Sequence, residues 1–91
     1  MNEKIYAGLV NGIIGEMKKI IGPVAVTQAN TVDGLAIDKK ITIKRDGYEV
    51  VTRLIEKYKT IMGPVAVTIA KKGVEAILEK NPKLKVPEEL R

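Results

Sequence analysis

Lys39, Lys40, Lys44 and Arg45 place four cations within seven consecutive residues, the densest charge on the chain. Such a group suits the oxygens of a polyanion, because clustered ammonium and guanidinium groups displace the counterions that surround phosphates. The whole chain leans the same way, with 16 basic against 11 acidic residues and a net charge of +5. Three tyrosines and no Phe or Trp leave little for stacking on unpaired bases. No helix-turn-helix or other base-reading motif stands out. A solvated connector accounts for the same four residues, so nucleic-acid association is kept as the alternative reading.

The residue types that are missing say more. The chain has no Cys, no His and no Ser anywhere. Disulfides, thiolate metal sites and thiol catalysis are excluded without Cys. Absence of His removes the commonest general base and the commonest transition-metal ligand. No Ser-His-Asp or Cys-His constellation fits within one chain. Asp33, Asp38 and Asp46 do not have the spacing of a calcium loop, and a turn and a helix cap explain Asp33 and Asp46 better. The expectation is a protein that is not an enzyme, with no catalytic residues, no metal and no cofactor.

Gly8, Gly12 and Gly15 are a second candidate feature. At 100° per residue they fall within about 60° of one helix circumference. An exposed face, where each glycine costs on the order of 1 kcal/mol relative to Ala, is one reading. It predicts that Gly8→Ala and Gly12→Ala stabilise the fold. The other is a close-packing face, where a backbone or a ligand comes near enough to forbid side chains. That reading ties the glycines to self-association.

The elements that carry these residues are organised around a repeat. Residues 22–27 and 63–68 are identical, Gly-Pro-Val-Ala-Val-Thr, at an offset of 41. Val10 and Val51, Ile14 and Ile55, Lys18 and Lys59, Ile20 and Ile61, and Ala29 and Ala70 match at the same offset. Proline stops an arriving helix and suits the first position of a new one. Each copy therefore reads as helix, Gly-Pro corner, helix.

The first helix is expected over residues 4–21, capped by Asn2, with Leu9, Val10, Ile13, Met17, Ile20 and Ile21 on its apolar stripe. A second is expected from Pro23 to about Val32, ended by Asp33-Gly34. Asp46 and Glu49 read as a capping box opening a third helix, whose stripe is Val51, Leu54, Ile55, Tyr58, Ile61 and Met62. A fourth runs from the second joint to Asn81-Pro82, and the tail beyond is extended along the body. Residues 41–44 alternate as a strand, whose partner is Leu35–Ile37 or a second chain.

The fold class expected is mainly α: two helix–Gly-Pro–helix units as a pseudo-two-fold four-helix domain, with a short extended segment near 41–45. The alternative is α+β, with residues 24–27 and 41–45 in a small sheet. The boundaries are unit one at about 4–37, a linker at about 38–45, unit two at about 46–81 and a tail at 82–91, all in one domain. No apolar run approaches a membrane span and the first residues do not read as a secretory signal, so a soluble cytoplasmic protein is expected. Rich use of Ile, Val, Lys and Glu suits a thermophile.

Residues 54–70, with Gly63, Pro64, Val65 and Ala66 between apolar flanks, resemble small helical modules of prokaryotic signalling proteins. That resemblance implies an interaction module. Residues 9–37 carry a helix, then Gly-x-Val-Ala-Val, then Asp-Gly-Leu-Ala, and are similar over that stretch to roadblock-type dimerisation domains, departing from them at Pro23. Neither assigns a family. The function expected is protein–protein interaction or scaffolding, as a homodimer.

Overall fold

At Gly22 and at Gly63 the backbone does the same thing. Both glycines have positive φ, 66° and 76°, in a region that L side chains avoid. Their N–H groups close the preceding helices onto the carbonyls of Lys18 and Lys59, at 3.0 and 2.8 Å. Pro23 and Pro64 follow at φ −59° with ψ −21° and −22°, already helical. The residue after next in each copy is a fully buried alanine, Ala25 or Ala66. The two hexapeptides thus share one conformation, a corner between helices.

The computed structural model describes residues 2–91. It is mainly helical: α1 (Glu3–Ile21), α2 (Val24–Ala29), β1 (Leu35–Ile37), β2 (Ile41–Ile43), α3 (Gly47–Met62), α4 (Val65–Lys80) and a 3-10 turn at Glu88–Leu90. The strands form one antiparallel hairpin with Leu35 opposite Ile43 and Ile37 opposite Ile41. Of the two sheet partners expected for residues 41–44, the structure uses Leu35–Ile37. Residues 24–27 are helical, so the sheet of the α+β alternative does not form. Among the described residues no helix is long and apolar enough to cross a membrane.

Three expectations need correction. Asn2 does not cap α1: its backbone is itself helical at φ −80°, ψ −3°, and its side chain makes no capping bond. Its carbonyl is already used, accepting from the Tyr6 N–H at 2.9 Å. Second, α2 stops at Ala29, short of Val32. Asn30 and Thr31 compete for the backbone there: Asn30 Oδ1 accepts from the Ile37 N–H at 2.8 Å, and Thr31 Oγ1 donates to the Gln28 carbonyl at 2.6 Å. Third, Ile20 and Ile61 leave their stripes and stand 56% and 43% exposed. Each corner turns over the core on the side of Ile21 and Met62, and these are the residues it packs.

The cap of α3 holds in half. Asp46 Oδ2 accepts from the Glu49 N–H at 3.1 Å, which satisfies one open donor of the first turn. The core is aliphatic and forms one cluster, in which Leu9, Val10, Ile13 and Met17 of α1 join Val50, Leu54, Ile55 and Tyr58 of α3 and Ala66, Ala70 and Val74 of α4. The tail closes one end of it. Val86 and Leu90 are buried, and the Tyr6 hydroxyl donates to the Lys85 carbonyl at 2.7 Å.

Tyr58 is the one core side chain among the largest with a polar end, and its hydroxyl donates to the Ala25 carbonyl at 2.6 Å. Burial pushes this phenol up to about 12, from about 10 in an unfolded chain. The folded form therefore keeps a proton that the unfolded form loses. That contribution to stability is intact below pH ~10 and is lost as pH rises through about 12. Tyr58→Phe should cost about 1–2 kcal/mol at neutral pH. Its deficit against the parent should shrink through the alkaline window, as read by urea midpoints at neutral and at high pH. A constant deficit would show that the phenol is not what titrates.

Candidate functional site

Gly8, Asn11, Gly15 and Lys18 recur at intervals of three and four, so α1 presents them along one face. Lys18 stands in the last turn, where the helix dipole favours a cation. The three glycines divide by what lies above them. A methyl on Gly12 would fall on the backbone carbonyl of Gly73 in α4, and one on Gly73 would fall on that of Gly12. The two helices cross there backbone to backbone. At Gly8 a methyl would meet only Ile77 Cδ1 at 3.3 Å, and above Gly15 there is nothing within 4 Å. The close approach at Gly12 is within the chain, so it calls for no second copy.

The open part of this face is roofed by the hairpin. Residues 38–40 make the turn between β1 and β2, tightened by the Asp38 N–H donating to the Lys40 carbonyl at 3.1 Å. That turn brings Lys39 and Lys40 to the outer face of α1. The result is a cleft of about 540 Å³ lined by Gly8, Asn11, Gly15, Lys18, Lys39 and Lys40. Val26, Ile37 and Ile41 give it an apolar wall, and Asp38 is the one carboxylate on its lining. Among the described residues none of the three lysines is in an ion pair.

Lys44 and Arg45 lie apart from this cleft, at the base of the hairpin. The Lys44 N–H donates to the Gly34 carbonyl at 2.7 Å. Arg45 Nε meets Asp33 Oδ2 at 2.8 Å, and Arg53 reaches the same carboxylate at 3.3 Å. All three partners are at least half exposed, so each contact contributes about 0–1 kcal/mol. The four-residue basic group of the sequence is thus two pairs, one at each end of the hairpin.

A second surface was not visible as such in the sequence. Among the described residues the exposed large apolar side chains are Ile20, Val24, Ile61 and Val65, at 56, 48, 43 and 50%. Ile20 and Val24 straddle the first corner; Ile61 and Val65 straddle the second at the same positions. The Tyr58–Ala25 bond joins α3, a turn before its corner, to the start of α2, which sets both corners at one end of the molecule. Adjacency alone does not single them out, since Leu9-Val10 and Leu54-Ile55 are spaced like Ile20-Ile21 and Ile61-Met62 and both members of each are fully buried. What sets Ile20 and Ile61 apart is their place in the last turn before a corner.

No protein family, curated protein or solved structure matches this chain.

The two surfaces must therefore be read from their own chemistry. The cleft offers ammonium groups, an amide and a carboxylate against an apolar wall, a lining suited to holding and orienting an anion. The corner face offers branched aliphatic side chains held on rigid turns, suited to burial against another apolar surface.

Proposed function

We propose that this chain is a non-enzymatic protein–protein interaction or scaffold domain of the cytoplasm, and that it acts as a homodimer joined through its corner face. The observation that carries this reading is that, among the described residues, all four exposed large apolar side chains stand at equivalent positions of the two corners. Apolar groups in water are expected to find cover, and clustering at one end makes a patch of them. The occupant is a second copy, because the patch consists of two matching halves. A two-fold interface needs a surface on which residue i meets j while j meets i, and matching halves meet that condition when each corner lies on the other corner of the mate.

The nucleic-acid alternative draws less support from the arrangement of charge, since Lys39 and Lys40 line the cleft while Lys44 and Arg45 do not, and Arg45 is engaged with Asp33. The two readings have opposite salt dependence. Two chains of charge +5 repel each other, so added salt should tighten the dimer, whereas it weakens binding to DNA.

The test is light scattering behind size exclusion at tens of micromolar. The parent should run at about twice the 10.0 kDa chain mass. Ile20→Lys with Val65→Lys should run as the single chain and stay folded, since both positions are half exposed, with a melting temperature that no longer depends on chain concentration. A parent chain that remains at the single mass in high salt overturns the proposal.

A further inference from the structure

We propose that the cleft between α1 and the hairpin turn is a binding site for a small organic phosphate. Its size, about 540 Å³, lies within the range of about 300–1,000 Å³ typical of small-ligand pockets. Three lysines line it from two separate elements, Lys18 from α1 and Lys39 and Lys40 from the hairpin turn. None of them is spent on an ion pair among the described residues. With Asp38 as the one acidic group of the lining, the cleft keeps an excess of positive charge and favours a ligand carrying more than one negative charge.

Two further features point to a ligand with an organic body and not to a bare anion. Val26, Ile37 and Ile41 line the same cleft as Gly8 and Gly15 and give it apolar surface. The α1 backbone is left bare beneath it: Gly15 has nothing within 4 Å, although glycine inside a helix costs about 1 kcal/mol relative to Ala. Gly12 is accounted for by the crossing with Gly73, and Gly15 has no such neighbour in the fold. An aromatic or aliphatic group lying between the glycine floor and the wall would use that space. The phosphate would face Lys18, Lys39 and Lys40, and Asn11 and Asp38 would be left for hydroxyl or amine substituents.

Phenyl phosphate and inorganic phosphate, titrated into the full chain at constant ionic strength, are the probes. Amide shifts of Gly8 and Gly15 in nitrogen–proton correlation spectra are the readout. Phenyl phosphate should move both amides saturably and bind more tightly than inorganic phosphate. Lys39→Gln with Lys40→Gln should weaken it by about tenfold or more. Lys71→Gln with Lys72→Gln removes as much charge from exposed positions of α4 and should leave the affinity unchanged. Gly15→Leu changes no charge but fills the floor, and should also weaken phenyl phosphate about tenfold while the melting temperature holds.

No saturable shift at Gly15, equal affinity for the two probes, or equal loss in the α4 variant would each overturn the proposal. None of these variants touches the four corner residues, so failure here leaves the dimer reading standing, and failure of that reading leaves this one.

Discussion

Gly12→Ala is expected to destabilise the fold by about 3 kcal/mol, where the exposed-face reading of the same glycine expects a gain. The added methyl lands on the carbonyl group of Gly73, and neither partner is a side chain that could rotate away. Relief requires α1 and α4 to separate along their length, which loosens Leu9, Ile13 and Met17 on one side and Ala70 and Val74 on the other. Overpacking a core costs about 1–3 kcal/mol and more where the backbone must move. The better helix propensity of alanine returns about 1 kcal/mol. For a domain of this size a net loss of about 3 kcal/mol lowers the melting temperature by roughly 12–24 °C. Gly73→Ala should behave alike, since its methyl meets Gly12 in return. Gly15→Ala is the internal control: with nothing within 4 Å it should stabilise by about 1 kcal/mol. Thermal melts of the three variants check this, and a stable Gly12→Ala would refute the backbone contact.

Gly47→Ala should be comparably damaging for a different reason. Gly47 is buried in the first turn of α3, and a methyl there would enter the ring of Tyr6. The ring has no room to swing, because its hydroxyl is fixed on the Lys85 carbonyl and the tail it holds buries Val86 and Leu90. Expelling Tyr6 would release that bond and lift the tail, for a loss of about 3 kcal/mol. The diagnostic is non-additivity. In a Tyr6→Gly background both the ring and the Cβ that the methyl would meet are gone, so Gly47→Ala should cost far less than in the parent, giving a coupling energy of about 1–3 kcal/mol from urea unfolding. Additive losses would mean that the two residues do not meet.

These two contacts mark where reading the sequence stops. What was legible rests on local chemistry. Gly-Pro breaks a helix whatever surrounds it, so both corners could be placed from the sequence. The stripe from Val51 to Tyr58 has one period, and Asp46 with Glu49 marks its start. Alternation at residues 41–43 named a strand, and Leu35–Ile37 was within turn distance to pair with it. Illegible features depend on partners far along the chain. Gly73 sits among Ala70, Val74 and Ile77 and reads as one more small core residue; nothing local says that it faces Gly12. The end of α2 is decided by Asn30 reaching a strand seven residues later. The cleft forms because the hairpin folds back on α1, and the spacing of Lys39 and Lys40 carries no trace of that.

The contacts of the first helix with the last helix and the tail also bear on how the chain is made. Tyr6 and Lys85 are 79 residues apart, and at about 5–20 residues per second a ribosome needs roughly 4–16 s to produce the second after the first. Through that interval α2 and α3 can cover part of the first helix, but α4, its most extensive neighbour and the carrier of Gly73, is missing or incomplete. Helical proteins with mostly neighbouring contacts escape this wait. Here completion is deferred to the last stretch of translation, so a chaperone that shields emerging apolar segments should matter more than the small size of the chain suggests.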